Sequence, residues 1–154
     1  SKIKWSYIMR KTAFLLFLLF FITPSAASAA DVMRHLDIED ALQSLKVQQA
    51  LYPEVQLYFA GDTYPKVSKN YGIVKTSKRT NSFLKDKIES CEWAFASALV
   101  DLQQAAINSN ANAVIQITSN IKNRKNPSNI QYDCLVGSMM VNVAFQAKIV
   151  KIGQ

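Results

Sequence analysis

The sequence predicts an α+β fold in which a mainly antiparallel sheet of about four to five strands carries one long helix on one face. Residues 86–108 place apolar side chains at spacings of three and four, which is the period of a helix with one buried face. Residues 141–152 alternate apolar and polar side chains, which is the period of a half-buried strand. Short β-branched runs separated by polar loops indicate the other strands, and a shorter N-terminal helix completes the predicted fold.

The long helix has clear signals at both ends. Asp86 followed by Glu89 is typical of a capping box, and both carboxylates would lie near the positive end of the helix dipole. Asn110 is expected to end the helix in the left-handed conformation that glycine supplies more often. The predicted buried face consists of Ile88, Cys91, Phe95, Ala98, Leu99, Leu102 and Ala106.

The remaining elements are shorter. The shorter helix is predicted over residues 37–51, because acidic residues open this segment and Pro53 follows it. The predicted strands are residues 55–59, a weaker strand at 71–76, and then residues 111–121, 130–136 and 141–152.

The start of the sequence has the three regions of a secretory signal peptide. Arg10 and Lys11 follow Met9, an apolar run occupies residues 13–22, and small residues lead to Ala29. We expect residues 1–8 to lie upstream of the true start, residues 9–29 to be removed, and residues 30–154 to form one periplasmic domain. A membrane anchor is the alternative, but a run of about ten apolar residues is shorter than the ~20 that a transmembrane helix needs. No transmembrane helix is expected after cleavage.

The charge balance is ordinary for a small domain. The full sequence carries 18 basic and 11 acidic residues, a net charge of +7. Four of the basic residues and none of the acidic ones precede residue 30, which leaves 14 basic and 11 acidic residues and a net charge of +3. This balance does not indicate nucleic-acid binding.

Basic residues nevertheless concentrate in two segments. Residues 64–87 hold seven basic residues and one acidic residue, Asp86, and the loop at 122–125 holds three more basic residues. Because the strand after the long helix should run back along it, we expect both segments to meet at one end of the domain. Two separate solvated loops are the alternative. The predicted surface for an anionic partner comprises Lys66, Lys69, Lys78, Arg79, Lys85, Lys122, Arg124 and Lys125.

The chain has two cysteines, Cys91 at the start of the long helix and Cys134 in a predicted strand. Two cysteines in an exported chain usually pair. We therefore predict a Cys91–Cys134 disulfide, with two buried free thiols as the alternative.

The sequence contains no recognisable catalytic constellation. Met33, His35 and Asp37 can be read as the start of a metal site, but His35 is the only histidine and a polar surface residue is the simpler interpretation. The glycines are isolated, whereas a nucleotide-binding loop needs clustered glycines and a lysine. We predict no catalytic residues, no metal ligands and no cofactor, and we expect that the protein is not an enzyme.

Four short runs carry a resemblance to a known family: VQLYF from Val55, CEWAF from Cys91, NAVI from Asn112 and YDCLVG from Tyr132. They resemble a family of small exported bacterial proteins of unknown function, whose members are often labelled excinuclease ATPase subunit. The second half more distantly resembles the domain of the Rcs envelope-stress lipoprotein sensor and the YbjQ-type fold. The ATPase label has no support in the residues, because no nucleotide-binding loop is present.

Two classes of function are consistent with these observations. The favoured one is a non-enzymatic periplasmic protein that binds another envelope protein or an anionic envelope surface, as the resemblance to the stress sensor implies. The alternative is a periplasmic protein that binds a small molecule or a metal ion.

Overall fold

The computed structural model describes residues 29–153, which form six strands and three α-helices. The strands are β1 (Val32–Asp37), β2 (Gln56–Phe59), β3 (Val67–Asn81), β4 (Ala113–Ser119), β5 (Gln131–Val136) and β6 (Met140–Ile152). The helices are α1 (Ile38–Gln43), α2 (Leu45–Ala50) and α3 (Lys87–Asn108), and a short 3-10 turn spans Ile121–Asn123.

Strand β6 is the centre of the sheet. One of its edges pairs antiparallel with β3 from Met140 to Ile152. The other edge is shared, since Val141 and Asn142 pair with β5 while residues 145–150 pair with β4. Strand β1 extends the sheet beyond β5, and β2 extends it beyond β4. Strands β4 and β5, which follow the long helix, therefore pair with the same edge of β6, and each is extended by a strand from before the helix.

Helix α3 covers one face of this sheet. It packs on β3 and β6 and buries Phe95, Leu99 and Leu102 completely. The ring of Phe95 lies 4.3 Å from that of Tyr132 and 5.9 Å from that of Phe145, measured between centroids. Each such large apolar side chain contributes roughly 1.5–3 kcal/mol when fully buried. This helix-covered face is the main core of the domain.

The opposite face is only partly covered, and we call it the open face. Near the end of β6 it carries a small second core of Ala113, Ile115, Val150 and Ile152, against which Tyr58, Tyr64 and Val67 pack. Towards the start of β6 the open face is polar, because Asn142 and Gln146 alternate with the helix-facing Val143 and Phe145. The polar half of the open face is therefore available to solvent.

The α+β class and the long helix are confirmed. Asp86 is the N-cap of α3, and its Oδ1 accepts a hydrogen bond from the Glu89 backbone N–H at 2.8 Å. The Glu89 carboxylate binds Lys46 at 3.1 Å. Asn110 adopts the expected left-handed conformation with φ of 57°. The prediction for Ile88 was wrong, since it was expected on the buried face of the helix but is 44% exposed.

The finer prediction for the sheet was wrong. The sheet has six strands and is mixed, because β2 pairs parallel with β4. The short helix is not the first element, since β1 precedes it, and it is divided into α1 and α2 at Ser44, whose backbone is extended. Strand β3 is also much longer than the predicted residues 71–76.

The predicted disulfide is confirmed. Cys91 of α3 and Cys134 of β5 are bonded, with their Cα atoms 6.0 Å apart, and both are fully buried. The predicted signal peptide lies outside the described residues, apart from Ala29 at its end. Among residues 29–153, no helix combines the length and the apolar character needed to cross a membrane.

Candidate functional site

A groove on the open face collects cations from β3 and from the 3-10 turn. Lys75 and Arg79 of β3 lie opposite Gln146 and Asn142 of β6, so both project to the open face. The groove encloses about 360 Å³. We call it the basic groove, and its polar lining consists of Lys75, Thr76, Ser77, Arg79, Asn120, Lys122, Asn123 and Asn142.

The 3-10 turn holds Lys122 above the sheet. Ile121 anchors the turn, being 2% exposed, and the backbone N–H of Asn120 donates to the carbonyl oxygen of Ala144 at 2.8 Å. Lys122 and Asn123 both have left-handed backbones, with φ of 53° and 59°. A non-glycine residue in this conformation costs roughly 1–2 kcal/mol. The anchored turn therefore maintains a strained backbone at the residue that reaches the groove.

The basic groove continues into a neighbouring recess of about 390 Å³. Arg79, Lys122 and Asn142 line both cavities. The recess also has an acidic residue, Asp31, in its wall. The cations of the groove thus face one carboxylate at this end.

On the other side of the turn lies a third cavity of about 370 Å³, which we call the histidine pocket. Lys122, Arg124 and Lys125 line it together with His35 of β1 and Asp133 of β5. His35 and Asp133 are register partners, and the Nδ1 atom of His35 lies 2.7 Å from Oδ1 of Asp133. The basic groove and the histidine pocket therefore share Lys122.

The carboxylate of Asp133 is buried and held from several directions. Only 7% of its side chain is exposed, whereas 54% of the His35 side chain is exposed. The Nδ2 atom of Asn126 donates to both carboxylate oxygens, at 3.0 and 3.2 Å. The backbone N–H of Asp133 donates to the Ser119 hydroxyl at 2.9 Å. This buried carboxylate fixes the orientation of the imidazole.

Comparisons with protein-family models, with curated proteins and with solved structures gave no match. The resemblance to small exported bacterial proteins and to the stress sensor therefore stays a prediction.

The structure brings half of the predicted surface together. Arg79 and Lys122 share the basic groove, and Arg124 and Lys125 join Lys122 at the histidine pocket. Lys75 also lines the groove, although it was not among the predicted surface residues. Within residues 29–153, none of these five cations forms an ion pair, so their positive charge faces solvent.

The other predicted residues lie elsewhere. Lys78 projects to the helix-covered face and forms an ion pair with Asp101 of α3 at 3.0 Å. Lys69 lies opposite Lys151, at the other end of β3 from Arg79. At ~3.3 Å per residue, Lys69 and Arg79 are about 33 Å apart along the strand. Lys66 precedes β3 at that same end, and Lys85 is exposed in the connection between β3 and α3.

The His35–Asp133 pair was not found by sequence reasoning. The two residues are 98 positions apart, and β1, which brings them together, was not predicted. Asp37 was one of the three residues considered as the start of a metal site. In the structure it caps α1 by accepting a hydrogen bond from the Asp40 backbone N–H at 3.0 Å. Among residues 29–153, no three histidine, cysteine, aspartate or glutamate side chains are grouped closely enough to hold a metal ion.

Proposed function

We propose that this protein is a non-enzymatic binding protein of the bacterial periplasm that recognises an anionic envelope component through the basic groove. The observation that supports the proposal most directly is the collection of Lys75, Arg79 and Lys122 in one open groove, without ion pairs to other described residues. The Cys91–Cys134 disulfide is compatible with an oxidising compartment.

The chemistry of the groove suits binding of anionic oxygen atoms. Lysine and arginine donate hydrogen bonds and accept none, and the arginine guanidinium matches a carboxylate or phosphate with two parallel hydrogen bonds. Asn120, Asn123 and Asn142 add side-chain amides that can donate to the same oxygens. Because the charges are exposed, we expect this binding to weaken as the salt concentration rises.

The alternative function, binding of a small molecule, is favoured by one observation. The histidine pocket, at about 370 Å³, falls within the usual size range of small-ligand sites and combines cations with an oriented imidazole. In the alternative, the pocket would act alone and the basic groove would be an ordinary solvated surface.

The test compares two variants with the same change in charge. Lys75→Ser/Arg79→Ser/Lys122→Ser removes the cations of the groove. Lys66→Ser/Lys69→Ser/Lys151→Ser removes three cations from the other end of the sheet, where β3 begins and β6 ends. Binding is measured by co-sedimentation with phosphatidylglycerol vesicles and by titration with an anionic polysaccharide, at low and moderate salt. Each lysine or arginine near an anionic surface contributes about 1 kcal/mol, so the groove variant should lose roughly 100-fold in affinity.

We expect the far-end variant to keep most of the wild-type affinity, because its charges lie at the other end of the sheet. Equal losses in the two variants would mean that only net charge matters and would contradict a groove. Absence of wild-type binding to both probes at low salt would also contradict the proposal.

A further inference from the structure

The histidine pocket is organised around a carboxylate that solvent hardly reaches. Asp133 accepts from Asn126 through both oxygens, and its Oδ1 lies 2.7 Å from Nδ1 of His35. With Nδ1 donating to the carboxylate, Nε2 is the nitrogen on the outer side of the ring. Within residues 29–153, no protein group hydrogen-bonds to Nε2. The pair therefore presents one imidazole nitrogen, in a fixed orientation, to a ligand.

Three cations surround the same space. Lys122, Arg124 and Lys125 line the pocket, and Asp31 and Asp133 are its acidic lining residues. The Asp133 carboxylate is already satisfied by its hydrogen bonds, and Asp31 lies on the exposed segment before β1. With three cations against two carboxylates, the lining still carries a net positive charge.

A phosphate monoester fits this combination of groups better than other anions do. Its second pKa is near 6, so at neutral pH it exists both with and without a proton on its oxygens. It can donate a hydrogen bond to a neutral imidazole nitrogen or accept one from a protonated imidazole. A sulfate, a carboxylate or a phosphate diester is fully ionised at neutral pH and only accepts. An arginine beside the site can bind two phosphate oxygens at once.

We propose that the histidine pocket binds a phosphate monoester group, with His35 Nε2 at one phosphate oxygen and Lys122, Arg124 and Lys125 at the others. This deepens the proposed function and rests on it, since Lys122 joins the pocket to the basic groove. The phosphoryl group would be the part of the anionic component that is recognised specifically, whereas the groove would hold further negative charge.

The only histidine of the sequence supplies a direct probe. In untagged protein, its imidazole signals are unique in the NMR spectrum and report contact at the pocket. We expect a saturable shift of these signals on titration with inorganic phosphate at constant pH and ionic strength. When the imidazole is neutral, sulfate lacks the one hydrogen bond that a protonated phosphate donates to Nε2, so sulfate binding should be about tenfold weaker. Equal, non-saturating shifts with both anions would indicate an adventitious ion only and would overturn the proposal.

A second measurement distinguishes a soluble phosphate from a lipid headgroup as the molecule that supplies the phosphate monoester bound in the pocket. Phosphatidic acid exposes a phosphate monoester, and phosphatidylglycerol exposes a diester. At matched surface charge, we expect the wild type to prefer phosphatidic acid vesicles by about tenfold, and His35→Gln to lose this preference while keeping its binding to phosphatidylglycerol. A shift with inorganic phosphate, without a vesicle preference, would assign the pocket to a soluble phosphate monoester.

The two proposals fail in different ways. If His35→Gln binds both vesicle types like the wild type and the histidine signals do not move with phosphate, the phosphate site is wrong while groove binding stands. If the variant lacking Lys75, Arg79 and Lys122 binds phosphatidylglycerol vesicles normally, groove binding is wrong. Because Arg124 and Lys125 lie outside the groove, Arg124→Ser/Lys125→Ser should weaken the phosphate-induced shift and leave binding to phosphatidylglycerol nearly unchanged.

Discussion

Gln103 is a buried polar residue that secures the connection between α2 and β2. It is 1% exposed and lies in α3. Its side-chain oxygen accepts from the Tyr52 backbone N–H at 2.8 Å, and its Nε2 donates to the carbonyl oxygens of Tyr52 and Val55 at 2.8 and 2.9 Å. One amide thus satisfies three backbone groups of a segment that forms no regular element of its own.

Replacing Gln103 should destabilise the fold strongly. Gln103→Leu keeps a side chain of similar size but leaves the Tyr52 N–H and the Val55 carbonyl oxygen without a partner, each of which costs about 1–3 kcal/mol if it stays buried. Allowing for partial solvation, we expect a loss of about 2–4 kcal/mol in the free energy of unfolding, measured by urea denaturation. Gln104→Leu, at the exposed neighbouring position, is the matched control and should change stability by less than about 0.5 kcal/mol. Similar effects at both positions would contradict this role.

At the residue scale, the sequence predicts what depends on neighbours along the chain. The cap at Asp86 and the left-handed Asn110 follow from local patterns and are confirmed. Gln103 carries no such signal, because its partners lie about 50 residues earlier and a glutamine in a helix is usually exposed. Its role appears only once the segment after α2 is placed against α3.

At the scale of elements, Asp101 joins α3 to β3. Its Oδ2 accepts from the Thr76 hydroxyl at 2.7 Å, and its Oδ1 lies 3.0 Å from Lys78 Nζ. Partial burial by itself would raise the pKa of the Asp101 carboxyl. The hydrogen bonds from Thr76 and Lys78 and the charge of Lys78 outweigh it and lower this pKa below its ordinary value.

This lowered pKa predicts a pH-dependent contribution to stability. A carboxyl whose pKa is lower in the folded state contributes stability above its unfolded pKa, near 3.9, and loses it as the pH falls through the folded pKa. Asp101→Asn should therefore be less stable than the wild type at neutral pH, by no more than about 1 kcal/mol because the pair is partly exposed. Urea denaturation at a series of pH values should show the difference shrinking as the pH falls below about 4 and vanishing once it is below the folded-state pKa. Glu54→Gln, which changes an exposed carboxyl group, is the control. A stability difference between Asp101→Asn and the wild type that does not depend on pH would assign the effect to packing.

Elements with one buried face were predictable, whereas those held by pairing alone were not. Helix α3 and β6 show their periods in the sequence because their apolar sides lie in the core. Strand β1 is almost entirely exposed and is fixed by its six register partners in β5, so burial imposes no alternation on it. Much of β3 is likewise exposed, which is why only its middle resembled a strand.

At the scale of the molecule, the candidate site is assembled from segments that only the topology brings together. The basic excess of residues 64–87 was visible in the sequence, but the division of its side chains between the two faces depends on the register of β3 against β6. In that register, the side chains of Lys75 and Arg79 project into the basic groove, whereas that of Lys78 projects towards α3. The histidine pocket depends in addition on the pairing of β1 with β5.

The β1–β5 ribbon is attached to the rest of the sheet over a short distance. Strand β5 pairs with β6 only at Leu135 and Val136. The further attachments of the ribbon on the helix side include the packing of Tyr132 against Phe95 and the Cys91–Cys134 disulfide. Since His35 and Asp133 both lie on this ribbon, the disulfide supports the histidine pocket as well as the core.

Removing the disulfide should therefore loosen the ribbon before the rest of the fold. Closing a span of 43 residues contributes about 4 kcal/mol in the chain-entropy model, and we expect Cys91→Ala/Cys134→Ala to lose roughly that much in the free energy of unfolding, measured by urea denaturation. Hydrogen exchange should show the largest loss of protection in β1 and β5, because β3 and β6 remain paired over their full length. The wild type treated with reductant should behave like the double variant, and reductant should not affect that variant. A uniform loss of protection across all strands would show that the disulfide stabilises only the molecule as a whole and does not secure the ribbon.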